Sequence, residues 1–396
     1  MTNRRPQVLW ITPQPPDLIS GGGSIRQAHF LTALTRHADV DLLVGGSQPL
    51  TDDTLRDACR SVTEHIVPPD FGGGPIGSRI GHLRSALGPE GPREVFVDRK
   101  AAQRLAADLA ERDAAQTYDA VVVQHAAFCR LLPARRRGRW ICELDRLASI
   151  DMRQLREITT TPHTRWLHAR EEQAARRLER WIVASYDAVI GVSKEDLAEL
   201  PGHQIVIPNG VDTTAFAPSP LPDAPRVVMT GYLGTLPNIT GAVWLCREIL
   251  PAIRREVPDV CIDLVGGAPS AEVRTLGDLP GVTVHADVPE IAPYLRAARV
   301  AVVPLVMGSG TRLKALEAFA AGRPVVGTSI GLIGLGVVNG VSTIVADEPA
   351  DFACGVVALL RDAQRSETLV ANAAQIAAAH DWNALADRYV DAVLGG

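Results

Sequence analysis

Val300 to Val326 read VAVVPLVMGSGTRLKALEAFAAGRPVV. Four apolar residues, Val300 to Val303, suffice for a buried strand. The small-residue run Met307-Gly308-Ser309-Gly310-Thr311 reads as a loop. Arg312 to Ala321 reads as a helix, stopped by Gly322 and Pro324, and Pro324 to Val326 opens a second strand. Strand, glycine loop, helix and strand make one parallel βαβ step. Ligands of open α/β sheets bind outside the carboxyl ends of the strands, where this loop lies. The helix start there offers free N–H groups and about +0.5 of dipole charge to an anion. Gly308 and Gly310 let the main chain approach it closely. Arg312 and Lys314 add two cations. Glu317 follows Lys314 by three residues, so both project from one helix face, and a carboxylate there can accept from sugar hydroxyls. A phosphate followed by a polyol describes a nucleotide or nucleotide sugar. Spacing alone leaves a second reading open, an ordinary surface ion pair beside an ordinary glycine loop.

Composition narrows the class. A chain of 396 residues suggests two or three domains at ~150 residues each, and it is long enough for two full cores. A net charge of −5 argues against a nucleic-acid partner. The six cysteines are scattered with no CxxC pair, so a zinc or redox motif is not expected. Cys246, Cys261 and Cys354 fall in segments read as helix or strand, which predicts small buried apolar roles. The first residues lead into a strand rather than a signal peptide. No apolar run approaches ~20 residues, so no membrane-spanning helix is expected and membrane association is at most peripheral. These features predict a reduced, cytoplasmic compartment.

Along the chain, Val8 to Thr12 reads as a strand. A long glycine-rich loop with Gly21, Gly22, Gly23 and Ser24 follows, then a helix from Ile25 to about His37 and a strand near Val40 to Val44. Main chain without side chains can cover a ligand, although a surface loop has the same composition. Glu64 to Val67 is a candidate strand. Asp70 to Gly74 and Gly88 to Pro92 are turn-rich, with a short helix carrying Arg79, His82 and Arg84 between them. A helix over Ala101 to Ala114 precedes a buried strand, Asp119 to Gln124. His125 stands at that strand's carboxyl end, placed to donate to a sugar hydroxyl or phosphate, or to serve the structure. Arg135 to Arg139 reads as a solvated basic loop, or as a contact for an anionic acceptor or lipid headgroups, before a strand at Trp140 to Cys142. Glu143, Asp145 and Arg146 then read as candidate acceptor-side polar groups at a strand's carboxyl end, and Asp145 is a candidate base. Thr164 to Tyr186 is a long helix, and Ser193 caps the helix Lys194 to Leu200.

Ile205 to Val211 carries Pro208-Asn209-Gly210, a tight-turn signal, and four prolines between Ala217 and Pro225 suit a stiff linker. Strand Arg226 to Thr230 leads through Gly231 and Gly234 into a helix from about Asn238 to Leu250. Strands at Val260 to Val265 and Val282 to His285 precede the 300–326 stretch. Ser342 to Ala346 closes the sheet. Helices over Ala350 to Leu360, Glu367 to Ala379 and Trp382 to Leu394 end the chain.

Two stretches resemble the retaining nucleotide-sugar glycosyltransferases of family 4. One is Pro208-Asn209-Gly210-Val211-Asp212. The other is the glycine loop, the helix, Glu317-Ala318 and Gly322-Arg323-Pro324-Val325-Val326. The run GSGTRLK resembles a sub-branch of bacterial sugar transferases. The family pattern places a second glutamate where Ser309 stands. The resemblance implies an α/β fold of GT-B type: two Rossmann-like domains facing across a cleft, with the final helix crossing back to the N-terminal domain. The implied divisions are 1–212 on the acceptor side, 213–380 for the nucleotide-sugar donor and 381–396 for the returning helix. It implies glycosyl transfer from a nucleoside diphosphate sugar to an acceptor hydroxyl or other nucleophile, with retention. The donor is a substrate; no cofactor and no metal are implied. The acceptor is a small molecule, a saccharide or a lipid-linked group.

Residue by residue, the resemblance implies donor binding by Gly22, Gly23, Ser24, Gly234, Gly308, Ser309, Gly310, Thr311, Arg312, Leu313, Lys314 and Glu317. The catalytic candidates are His125, Arg312 and Lys314. Where many family members carry an arginine and a lysine near Gly234, this chain has none, so Arg312 and Lys314 are expected to supply that charge. Two rival classes share the fold: a sugar-nucleotide epimerase or pseudo-glycosyltransferase, and a silent nucleotide-sugar binding module.

Overall fold

A computed structural model describes residues 4–18, 22–46, 48–66, 99–115, 117–126, 128–131, 136–202, 204–310 and 312–395. The apolar runs form two parallel sheets. The first holds β1 Gln7–Thr12, β2 Asp39–Val44, β3 Ser61–Glu64, β4 Ala120–Gln124, β5 Arg139–Leu144, β6 Ala188–Gly191 and β7 Ile205–Val206. The second holds β8 Arg226–Thr230, β9 Cys261–Gly266, β10 Val282–Ala286, β11 Val300–Val303, β12 Val325–Gly327 and β13 Ile344–Val345. The strand orders are β3-β2-β1-β4-β5-β6-β7 and β10-β9-β8-β11-β12-β13. Each order reverses at one point, between β1 and β4 and between β8 and β11, and such switch points leave a crevice at the strand ends.

Continuous apolar strands follow from burial on both sheet faces. Along β11, Val300 and Val302 pack into one cluster with Val227 and Met229. Ala301 and Val303 pack into the opposite cluster with Val228 and Phe319. Alternation with period two sends neighbouring side chains to opposite faces. In the first sheet, Leu9, Ile11, Val121, Val123 and Trp140 share one core.

The chain divides into two units, Met1–Pro208 with Leu385–Gly396, and Asn209–Ala384. The terminal helix Trp382–Leu394 begins in the second unit and from Leu385 belongs to the first, the expected return. Among the described residues, no helix is long and apolar enough to cross a membrane.

The helix of the 300–326 stretch spans Leu313–Ala320, with Arg312 as its N-cap. It ends at Gly322 in the left-handed region, φ 73°. Gly322 N donates to Phe319 O at 3.1 Å and Arg323 N to Ala318 O at 2.8 Å, the paired bonds of a Schellman end. The buried Arg323 guanidinium then donates to the carbonyls of Ala298 at 2.9 Å, Pro220 at 3.1 Å and Ser219. These bonds fasten the proline-rich segment to this unit.

Several expected elements shift. The helix expected from Ile25 starts at Gly22 and ends at Thr35, so Gly22 and Gly23 form its first turn instead of a long loop. The strand expected at Glu64 to Val67 is Ser61–Glu64, in register with β2. β5 extends to Leu144, which places Glu143 inside a strand rather than after one. The closing strand shrinks to Ile344–Val345. The helix from Leu236 runs through a π-turn at Leu245–Ile249 and on to Glu256. A helix at Ala148–Ile158 was not anticipated, although Ala148, Met152, Leu155 and Ile158 recur at helical spacing. Of the cysteines expected to be buried, Cys246 is, Cys261 is half-buried and Cys354 exposed, whereas Cys129 and Cys142 are buried. The turns and short helix expected at 70–92, together with Gly21, Thr311 and Arg135, lie outside the described residues.

Candidate active site

In the second unit, the loops after β8 and β11 meet at the switch point. Gly231 directly follows β8 with φ 141°. A Cβ built there would stand 2.7 Å from Lys314 Nζ and 3.2 Å from Asn238 Nδ2. Glycine is required both for the backbone angle and for that close approach. Lys314 Nζ donates to Asn238 Oδ1. The Asn238 amide in turn donates to Tyr232 O at 2.7 Å and Thr235 Oγ1 at 3.1 Å. The ammonium is therefore held in one place by the first turn of a different helix. Asn238 was not among the expected site residues. Its only sequence signal is a polar side chain in the first turn of a helix that follows a strand end.

Gly308 and Gly310 both have positive φ, 115° and 82°, which gives the loop its glycine requirement. Arg312 donates from Nη1 to Ser309 O at 2.7 Å and from Nε to Ile330 O at 3.3 Å. Its guanidinium thus clasps the loop and also places a positive charge beside Lys314. Leu313 opens the helix. Gly234 is exposed, and a Cβ there would meet Ala268 O at 2.6 Å. Among the described residues, the Glu317 carboxylate accepts no hydrogen bond.

The electrostatics of this corner are unusual. Burial and the neighbouring Arg312 charge push the Lys314 ammonium down to about 7, partly opposed by Glu317. Burial pushes the Glu317 carboxyl up to about 7, opposed by Lys314. An amine and a carboxyl that both titrate near neutrality, side by side at a strand-end crevice, mark a candidate functional site.

In the first unit, the loops after β1, β4 and β5 bring a second set together. Gly22, Gly23 and Ser24 form the start of the helix Gly22–Thr35. A Cβ on Gly23 would stand 3.1 Å from Asp145 Oδ2, so the Asp145 carboxylate faces that helix start. His125 directly follows β4 with φ 75°. A histidine held in the left-handed region costs about 1–3 kcal/mol and is commonest where function fixes it. His125 N donates to Glu143 O at 3.0 Å. Arg146 is exposed, and its guanidinium lies 3.5 Å from the Asp151 carboxylate.

Glu143 requires a correction. It is 1% exposed. Its carboxylate accepts from Arg26 Nε at 2.5 Å, Gln124 Nε2 at 2.6 Å and Tyr389 OH at 2.7 Å. Lying inside β5, it points into the protein and presents nothing to an acceptor. Among the described residues, no three His, Cys, Asp or Glu side chains are grouped to hold a metal ion.

Residues 224–362 match the family model described as Glycosyl transferases group 1. The D-inositol 3-phosphate glycosyltransferase of Thermobispora bispora is 29% identical over 223 residues, covering 50% of this chain and 51% of that protein. The phosphatidyl-myo-inositol mannosyltransferase of Mycolicibacterium smegmatis is 29% identical over 213 residues, covering 50% and 55%. The chain thus spans about half the length of the curated relatives it matches. Among solved structures, the sucrose-phosphate synthase of Thermosynechococcus elongatus superposes with a TM-score of 0.70 at 20% identity, covering 97% of each chain. HepE of Anabaena in complex with UDP-glucose superposes with a TM-score of 0.67 at 15% identity, covering 98% of each. The fold is that of the solved GT-B glycosyltransferases, and the segment that matches the glycosyl transferases group 1 model includes Asn238, Lys314 and Glu317.

Proposed function

We propose that the protein transfers a glycosyl group from a nucleoside diphosphate sugar to an acceptor hydroxyl or other nucleophile, with retention of anomeric configuration. The observation that carries this reading is the Lys314–Asn238 grip at the β8/β11 switch point, with Glu317 on the same helix face. Lys314 meets the diphosphate, while Arg312 shapes the loop and adds charge. The helix start at Leu313 supplies N–H groups, and Glu317 accepts from sugar or ribose hydroxyls. Negative charge that develops on the leaving diphosphate is stabilised by these fixed donors. His125, Gly22, Gly23 and Ser24 serve the donor from the first unit, and Asp145 and Arg146 serve the acceptor.

The UDP-glucose complex of HepE supports a nucleotide-sugar donor. The names of the inositol phosphate and phosphatidylinositol transferases support a small-molecule, saccharide or lipid-linked hydroxyl acceptor. The bacterial sources of these relatives favour a bacterial origin. The donor is consumed as a substrate, without a further cofactor. Six free thiols suit a cytoplasmic setting.

A thermal-shift screen against common sugar nucleotides tests the donor, and NMR of the product made with a panel of acceptors tests retention. Stabilisation by a sugar nucleotide, lost in Lys314→Ala and in Glu317→Ala, is expected. No stabilisation by any sugar nucleotide, or stabilisation that both variants keep, sinks the assignment. A sugar nucleotide altered without an acceptor being consumed points instead to an epimerase.

A further inference from the structure

The buried carboxylate of Glu143 ties together segments that are distant in sequence. Arg26 lies three residues after Gly23, at the start of the helix Gly22–Thr35, and donates to Glu143 Oε1 at 2.5 Å. Gln124, the residue before His125, donates to Glu143 Oε2 at 2.6 Å. Tyr389, on the terminal helix, donates to the same oxygen at 2.7 Å. Glu143 itself stands two residues before Asp145. Arg26 Nη1 also donates to Pro208 O at 2.9 Å, where the chain leaves the first unit. Tyr389 stacks on Phe30 with ring centroids 4.1 Å apart and planes 3° apart, and the Arg26 guanidinium lies 4.6 Å from the Phe30 ring centroid. Arg26 and Glu143 are each 1% exposed and Tyr389 is fully buried.

A hydrophobic cluster of equal volume would stabilise this spot as well as a buried ion pair, or better. What the ionic network adds is direction. Each bond fixes one segment in one orientation, and a missing bond leaves a charged group unsatisfied. Three of the tied segments carry Gly23, His125 and Asp145. The other two are the stretches by which the chain leaves and re-enters the unit.

We propose that Arg26, Glu143 and Tyr389 are positioning residues for transfer, setting the helix start at Gly23, the strained His125 and Asp145 in register with one another. The claim rests on the transferase reading above. None of the three touches substrate. They act through the loops that do, so their loss lowers turnover without weakening the hold of Lys314 and Glu317 on the donor.

Tyr389→Phe removes one hydroxyl and keeps the Phe30 stack. It is expected to lower kcat about tenfold, with a smaller rise in the KM for the sugar nucleotide, because the loops it sets include Gly23 and His125. Hydrogen exchange should rise at residues 26–28, the first bonded amides of the helix, and at 124–126 and 143–147, while β1 and β2 keep their protection. Unchanged kcat with unchanged exchange at those loops overturns the proposal. So does exchange that rises evenly across the first unit, since that is general loosening. Glu143→Gln in the Tyr389→Phe background should cost less than in wild type, because both changes disable one network; full additivity counts against it. If wild-type protein shows no turnover with any sugar nucleotide, the transferase reading fails, and the exchange arm alone decides the network.

Discussion

Binding of the donor should depend on pH in two opposite senses, because two titrating groups flank one another at the site. In the free protein Lys314 is pushed down to about 7 from an ordinary 10.5, which corresponds to about 5 kcal/mol of disfavoured charge. A diphosphate set against the ammonium returns that charge, so the bound complex holds its proton to higher pH. Affinity from this group is complete below about 7 and falls as pH rises, by roughly 50-fold between pH 7 and pH 9. Glu317 is pushed up to about 7 in the free protein. Hydroxyls donating to its carboxylate favour the ionised form and lower the value in the complex. Affinity from Glu317 is complete above about 7 and falls as pH drops, with a comparable loss by pH 5. The product is a binding maximum near neutrality.

Calorimetry with a sugar nucleotide avoids the titration of a terminal phosphate. Run in two buffers of different ionisation heat, it should record proton uptake at pH 8 and proton release at pH 6. Lys314→Met should weaken binding at pH 7 by about 2 kcal/mol, the worth of a hydrogen bond to a charged group, and abolish the alkaline decline. Glu317→Gln should abolish the acid decline. Affinity that stays flat from pH 6 to 9, or an alkaline decline that survives Lys314→Met, refutes the electrostatic account.

Three further expectations follow from the geometry. Gly231→Ala puts a methyl 2.7 Å from Lys314 Nζ at a backbone angle that alanine resists, so sugar-nucleotide affinity should fall at least about tenfold, or 1.4 kcal/mol. Wild-type affinity in a titration would count against the crowding. His125→Gly should be more stable than His125→Ala by about 1 kcal/mol, because alanine keeps the left-handed cost that glycine escapes; equal denaturant midpoints would show that no strain is stored there. Arg323→Met strips donors from the Ser219, Pro220 and Ala298 carbonyls and should lower stability by about 3 kcal/mol, read as a drop in the urea midpoint, while an unchanged midpoint would leave the proline segment's anchorage unexplained.

Sequence alone determined the architecture, because the signals involved are local. A parallel strand buried on both faces is a short apolar run. A helix end that needs φ above zero shows its glycine, as at Gly322. A loop at a strand's carboxyl end can be recognised from the strand and helix on either side of it. That Lys314 and Glu317 share one helix face was legible for the same reason, since a spacing of three residues on one helix fixes it.

The tertiary structure decided the partners, which come from distant segments. Asn238 holds Lys314 from 76 positions away, and Tyr389 reaches Glu143 across 246. Glu143 shows the difference most clearly. Its composition and its place near a strand end suited a substrate-facing carboxylate. Two more residues of β5 and three buried donors turned it inward, and no pattern of neighbours along the chain carries that information. Sequence spacing fixes what one helix or strand presents. Only the packing of separate elements decides whether a charge meets water, a ligand or another side chain.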